Sequence, residues 1–169
     1  MTFKRTRDAT LIWDIMSNPR IWRHITDDGS PPPDEVRPNP EAQGMYFYLV
    51  YDGDELLGLF MFVEVNTVCW EVHTCLLPCA WGLRSVDAAR EMSEWIWANT
   101  GCKRIITTVP EYNRLALALA KHAGLVEYGV NTKAWLKDGK LHDLHMLGIS
   151  PPEGKPCQRS QRSSQAASV

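Results

Sequence analysis

The chain has 169 residues, which suits one domain around one hydrophobic core and excludes two domains of ordinary size. Hydrophobic residues make up 44% and charged residues 22%, the balance of a globular protein and not of a disordered one. The formal net charge of -2 excludes a strongly basic surface overall, so nucleic acid is not an expected partner.

The sequence also predicts a cytoplasmic protein without a membrane anchor. Residues 1–10 are polar with no apolar run behind them, and no later segment approaches the roughly 20 apolar residues that a membrane span needs. The five cysteines are odd in number and form no CxxC pair, so we expect reduced thiols.

The first half of the chain predicts a strand, two short helices, a long loop and three antiparallel strands. Asp8 and Asn18 suit the N-caps of the two helices, and Pro19 suits the first helical position of the second. The turn at residues 52–55 joins two almost unbroken apolar runs, which indicates a buried hairpin. The predicted strands cover residues 2–7, 45–51, 56–65 and 69–77.

The Pro-rich loop over residues 26–44 can hold neither a helix nor a central strand. Where the loop borders a binding site, its acids either favour a cationic ligand or are simply solvated. These acids are Asp27, Asp28, Asp34, Glu35 and Glu41.

The second half predicts a helix with Ser85 as N-cap, a strand over residues 104–109, and a helix capped by Asn113. A hairpin turning at Asp138-Gly139 closes the domain at residue 150, and residues 151–169 read as a disordered polar tail. The order predicts an α/β (α+β) fold whose mixed, mostly antiparallel sheet carries helices on both faces.

Two segments in this order resemble motifs of the GNAT superfamily of N-acetyltransferases. Residues 70–82, followed by a helix, resemble the strand, loop and helix start where that family holds the CoA pyrophosphate. Asn113-Arg114-Leu115-Ala116 and residues 124–129 resemble its Asn-x-x-Ala and Gly-Phe-x-x-x-Gly segments. The ribosomal-protein alanine acetyltransferases are the nearest subgroup in pattern, and GNAT-like proteins of short-tailed bacteriophages are similar too.

The resemblance implies a GNAT fold, acetyl-CoA as cosubstrate and a primary amine as acceptor, which can be a protein amino terminus, a lysine or a small amine. Glu71 is the first candidate for the general base and His73, on the same face of its strand, is the second. The residues implied in CoA binding are Cys75, Leu76, Leu77, Gly82, Leu83, Arg84, Ser85 and Asn113.

Three positions depart from the family pattern and keep a second interpretation open. Cys79 and Arg84 stand where the pyrophosphate loop has other anchors, and Ala120 stands where many members have a catalytic tyrosine. Tyr112 is only a weak substitute for that tyrosine. The alternative is a phage protein that kept the fold and lost the reaction, acting in virion or head assembly or by binding a host protein.

No metal site is expected. His142 and His145 lie three residues apart on a predicted strand and therefore face opposite sides. Several tryptophans outside any obvious core leave a homodimer face open.

Overall fold

The protein is described here by a computed structural model that covers residues 1–152; the predicted tail from residue 153 onward lies outside the described residues. The predicted boundary near residue 150 therefore stays a prediction. The strands are Thr2–Thr6 (β1), Met45–Asp52 (β2), Glu55–Glu64 (β3), Cys69–Leu76 (β4), Arg104–Pro110 (β5), Val126–Lys137 (β6) and Lys140–Ile149 (β7). The helices are Ala9–Met16 (α1), Pro19–Ile25 (α2), Leu83–Asn99 (α3) and Arg114–His122 (α4).

The seven strands form one sheet in the order β1-β2-β3-β4-β5-β7-β6. Every neighbouring pair is antiparallel except β4 and β5, which are parallel and connected through α3. The mixed, mostly antiparallel sheet predicted from the sequence is therefore confirmed. Among residues 1–152, no helix combines the length and the apolar character needed to cross a membrane.

Side-chain caps fix the starts of α1, α2 and α4, as the sequence predicts. The Asp8 carboxylate accepts from the backbone N–H groups of Thr10 and Leu11, both at 3.0 Å. The Asn18 side chain accepts from the Arg20 N–H at 3.0 Å, with Pro19 in the first helical position. Each cap satisfies N–H groups that the first turn leaves without helical partners.

The predicted N-cap of α3 is wrong by three residues. Gly82, and not Ser85, is the N-cap, and the helix begins at Leu83 without a side-chain cap. Ser85 lies inside the first turn, where its hydroxyl donates to the Gly82 carbonyl at 2.6 Å. Gly82 has a φ of 96°, a conformation that L-residues with a side chain rarely adopt, so the glycine backbone makes the turn into the helix.

The sheet has helices on both faces because its central strands alternate between two cores. Trp70 and Leu76 of β4 pack with Met92 and Ile96 of α3. Cys75, on the opposite face of the same strand, packs in a cluster with residues of α1 and α2. Beyond a short 3-10 helix at Pro33–Glu35, the Pro-rich loop forms no helix or strand, as expected.

The functional geometry of the fold comes from the separation of β4 and β5. These strands pair only from Cys69 to Glu71 on β4 and from Arg104 to Ile106 on β5. Beyond those residues the strands diverge, while β4 stays paired with β3 and β5 stays paired with β7. The divergence opens a V-shaped gap in the middle of the sheet.

Candidate functional site

A cleft of about 640 Å³ occupies the gap between β4 and β5 and is lined mainly by apolar side chains. On one face of the sheet its walls come from α3 and α4, including Ala89 and Leu119. On the other face they come from α2, including Ile21 and Ile25. The cleft thus passes through the sheet, and a ligand held on one face can meet a second ligand from the other.

Two threonines of β5 tie the strands together at the fork where the cleft begins. The Thr107 hydroxyl donates to the Val72 carbonyl at 2.9 Å. The Thr108 hydroxyl donates to Glu71 Oε1 at 3.0 Å. Both threonines line the cleft, whereas Glu71 does not, and the Glu71 carboxylate contacts the cleft lining at Thr108.

His73 is the titratable side chain that β4 contributes to the cleft wall. Burial lowers the pKa of His73, an effect that the neighbouring Glu71 carboxylate partly opposes. Because its pKa lies below the usual range, the imidazole is neutral at pH 7 and can accept a proton. No hydrogen bond of its ring is formed within residues 1–152, which leaves the ring available to a ligand.

The edge of β4 that faces the cleft carries unpaired backbone groups. The Cys69 carbonyl accepts from Val65 at 3.0 Å, so the odd-numbered residues of β4 point toward β3. Alternate residues of a strand direct their backbone groups to opposite edges, which turns those of Thr74 and Leu76 toward the cleft. The Leu76 carbonyl is taken by the Trp81 indole at 3.0 Å, leaving the N–H groups and the Thr74 carbonyl for a ligand.

The start of α3 presents a second set of unpaired groups at the same cleft. Gly82 and Leu83 line the cleft, and a Cβ placed on Gly82 would meet no atom within 4 Å. The N–H groups of Leu83 and Arg84 have no acceptor within residues 1–152, because a first helical turn lacks internal partners. Open backbone and a positive helix-dipole end together attract an anion.

Arg84 is held away from the cleft. Its guanidinium contacts Glu55 at 2.7 Å and Asp52 at 3.1 Å, and it donates to the Cys79 carbonyl at 3.2 Å. These contacts fasten the loop before α3 to the turn between β2 and β3. Arg84 side-chain contact with a phosphate would require these ion pairs to break.

Cys75 and Leu77 also lie outside the cleft lining, while Leu76 and Ser85 are part of it. Cys75 is buried among apolar side chains, and burial raises the pKa of its thiol to about 12. This thiol is therefore a packing group and not a nucleophile. The backbone of Leu77 is used within the sheet, where its N–H donates to Leu57 at 2.8 Å.

Asn113 lines the cleft and caps α4, as predicted, by accepting from the Ala116 N–H at 3.2 Å. Ala120, on the same helix, is buried at the cleft wall where a tyrosine would otherwise reach in. Tyr112 does not line the cleft, and its hydroxyl accepts from the Trp135 indole at 3.1 Å. Within residues 1–152, no tyrosine lines this cleft.

Three cleft residues on the α2 side are not among those predicted from the sequence, namely Arg20, His24 and Trp135. Arg20 and His24 are four residues apart on one helix, which places them on the same face. This spacing is visible in the sequence and could have indicated the pair. Trp135 comes from β6, and nothing local indicates its position. The acids of the Pro-rich loop, which were expected near an acceptor, do not line the cleft.

The described residues contain no group of three or more His, Cys, Asp or Glu side chains arranged to hold a metal ion. His142 and His145 contact different carboxylates, Glu111 at 3.0 Å and Glu127 at 3.2 Å respectively.

This fold is the GNAT acetyltransferase fold, and solved structures of that class superpose on most of the chain. One is the spermidine N-acetyltransferase of Vibrio cholerae in complex with CoA and spermine, with a TM-score of 0.73 and 18% identity over 88% of this chain and 94% of that one. Another is a probable GNAT-family acetyltransferase of Chromobacterium violaceum, with a TM-score of 0.66 and 14% identity over 88% of this chain and 81% of that one. At these identities the likeness shows the fold alone.

Within that fold class the chain belongs to the family described as a protein of unknown function, DUF2824, whose model matches residues 34–146. The match covers more than half of the chain, from the Pro-rich loop to β7. No curated protein matches the sequence.

Proposed function

We propose that this protein is a cytoplasmic N-acetyltransferase that transfers the acetyl group of acetyl-CoA to a primary amine. The observation that carries the proposal is one cleft with two complementary sets of free backbone groups, the open edge of β4 and the first turn of α3. A CoA molecule has matching parts, since its pyrophosphate suits a helix N-terminus and the amides of its pantetheine arm can pair with a strand edge. Solved proteins of the same fold include one in complex with CoA.

The residues that would hold CoA are those the cleft brings together. Gly82 gives the close backbone approach, and the free N–H groups of Leu83 and Arg84 would bind the pyrophosphate. Thr74 and Leu76 would pair with the pantetheine amides. Asn113 faces the same space from α4 while capping that helix.

The chemistry requires one proton to leave the amine and one to reach the sulfur. Transfer forms a bond between the amine nitrogen and the acetyl carbonyl carbon and breaks the bond between that carbon and the thioester sulfur. His73 is the better placed base, because it lines the cleft and is neutral, whereas Glu71 is bound by Thr108. We therefore assign His73, and not Glu71, as the first candidate for the general base. Glu71 is assigned to holding β4 and β5 together at the fork, through Thr108. The leaving thiolate takes its proton from solvent, as no tyrosine lines the described cleft.

The direct test is calorimetric titration of the full chain with CoA and with acetyl-CoA. We expect saturable binding of both, followed by acetyl transfer to an amine. Absence of heat at millimolar ligand would overturn the proposal. Binding without transfer to any amine would instead support a non-catalytic protein.

Replacing Leu83 with proline should weaken CoA binding roughly tenfold while leaving the fold intact, because it removes one charge-assisted hydrogen bond to the pyrophosphate. Proline is well tolerated at the first position of a helix, where its missing N–H has no helical partner anyway. The measurement is the Kd for CoA by calorimetry. Leu83→Ala is the matched control, since it keeps the N–H and trims a side chain that is 83% exposed. Equal affinities of the two variants would show that this N–H does not bind CoA.

A non-catalytic role in virion assembly or host-protein binding is the second candidate. It is favoured by Arg84, which is committed to Asp52 and Glu55, and by exposed apolar residues along the edge strand β6. That strand has exposed apolar side chains at Val126, Tyr128 and Val130, as protein contact surfaces do. The contact could be with another protein or with a second copy of the chain. A variant that cannot bind CoA but still supports virion assembly or binds its host partner would support this second candidate.

A further inference from the structure

The acceptor side of the cleft has a one-sided charge. On the face of the sheet that α2 covers, opposite the start of α3, the basic or titratable lining residues are Arg20, His24 and His73, and no Asp or Glu side chain of residues 1–152 lines the cleft. A polyamine or lysine side chain brings positive charge and would find no carboxylate there. An amine that carries an acidic group would instead meet basic side chains there.

Arg20 is the group that such an anion would meet first. It stands in the first turn of α2, its side chain is exposed and lines the cleft, and its guanidinium makes no ion pair or hydrogen bond within the described residues. Arg84, in contrast, is paired with Glu55 and Asp52. A free guanidinium at a cleft wall is suited to bidentate binding of a carboxylate or phosphate.

His24, one helical turn further on, supports the same inference. Its Nδ1 is buried and has no hydrogen-bond partner within residues 1–152. Its pKa is lowered by burial first, and then by the positive charges of Arg23 and Lys137. Arg23 and Lys137 thus place positive charge beside this imidazole, and a ligand oxygen can serve its buried nitrogen.

The neighbouring acids Asp27 and Asp28 stay outside the cleft, because hydrogen bonds within the loops fix their carboxylates there. Asp27 accepts from the Ser30 hydroxyl at 2.7 Å and from Gly29 at 3.1 Å. Asp28 accepts from the N–H groups at the turn between β6 and β7, at 2.9 and 2.8 Å. Both carboxylates hold loop structure and lie outside the cleft lining.

We propose that the acceptor is a primary amine that carries an acidic group and an apolar body, with Arg20 binding the acidic group. Ile21, Ile25, Trp135 and Leu144 line the same side and would contact the apolar body. A free amino acid with an apolar side chain has this chemistry through its carboxylate, and an amine phosphate ester has it through its phosphate. This inference rests on the proposed acetyl transfer and names the substrate class of that same site.

The test compares acceptors of different charge, with leucine and leucinamide as the matched pair, using release of free CoA thiol as the readout. Leucine, leucinamide, phosphoethanolamine and spermidine are offered to the wild-type protein and to Arg20→Gln. We expect leucine to exceed leucinamide in kcat/KM by roughly tenfold in the wild type, and Arg20→Gln to abolish that preference. Phosphoethanolamine separates a phosphate preference from a carboxylate preference. Equal or better use of leucinamide or spermidine would overturn the inference while leaving acetyl transfer intact.

Arg23→Gln is the matched control, because Arg23 is exposed on the same helix and does not line the cleft. An equal loss of preference in both variants would show that general charge, and not contact with Arg20, is responsible. Binding of leucine and N-acetylleucine is also followed by NMR without CoA. Binding that depends on Arg20 in a protein that neither binds CoA nor transfers acetyl would refute the proposed reaction but not the anion site. If neither acetyl transfer nor Arg20-dependent binding is seen, the proposed reaction and the anion site are both refuted.

Discussion

Replacing His73 with glutamine is expected to lower kcat for acetyl transfer by about 10²-fold or more, with the affinity for CoA nearly unchanged. General-base assistance contributes on this scale, and glutamine cannot accept the proton. The side chain lines the cleft on the acceptor side of the sheet, whereas the CoA groups meet the edge of β4 and the start of α3. The measurement is the rate at saturating acetyl-CoA and amine, beside a calorimetric Kd.

The pH profile distinguishes a lost base from a disturbed structure. Below its lowered pKa His73 is protonated and cannot accept a proton, so the wild-type kcat should fall only at pH values under the usual histidine range of about 6.5. His73→Gln should lack this acidic limb. A variant that kept both its rate and its limb would remove His73 from the mechanism.

Glu71→Gln tests the assignment of the neighbouring carboxylate. The negative charge of Glu71 raises the pKa of His73, so its removal should lower that pKa further and move the acidic limb of kcat to lower pH. The amide can still accept from the Thr108 hydroxyl, which holds the fork at 3.0 Å. We expect at most a modest loss of rate. A loss as large as that of His73→Gln, with the limb unmoved, would make Glu71 the base.

Local signals predicted the fold well because each is satisfied within a few residues. Asp8, Asn18 and Asn113 cap their helices through N–H groups two or three residues ahead. The turn between β6 and β7 has positive φ angles at Asp138 and Gly139, as that dipeptide favours. The prediction for the start of α3 failed. Ser85 is a good cap by residue type, but the helix already begins after Gly82, next to Trp81, whose indole donates to the Leu76 carbonyl of β4.

The candidate site was only partly predictable because its chemistry depends on contacts between distant residues. Arg84 is a plausible phosphate ligand in the sequence, but its partners Asp52 and Glu55 lie about thirty residues earlier in the chain. In the sequence, Thr108 is only one of two threonines in a β-branched strand. Its contact with Glu71 forms when the sheet brings the two strands together. A strand pattern predicts which face a side chain occupies, and it does not predict where two strands part.

Replacing Gly58 with alanine is expected to destabilise the protein by about 3 kcal/mol or more, the largest stability effect that we expect of so small a change. Gly58 has a φ of 131°, and an added Cβ would fall on the Cys75 carbonyl oxygen and 2.8 Å from Leu76 Cα. Both atoms belong to the backbone of β4, which cannot yield as a side chain can. The measurement is the free energy of unfolding from denaturant titration.

Gly53→Ala separates this clash from backbone strain. Gly53 lies in the turn of the same hairpin, with a φ of 59° and nothing within 4 Å of an added Cβ, so we expect a cost of only about 1 kcal/mol. Equal costs for the two variants would mean that contact with β4 is unimportant. The contact matters for function because Gly58 pairs with Leu76, whose other edge faces the cleft. A shift of β4 that relieved the clash would move the strand edge proposed to bind CoA, so Gly58→Ala should weaken CoA binding where Gly53→Ala does not.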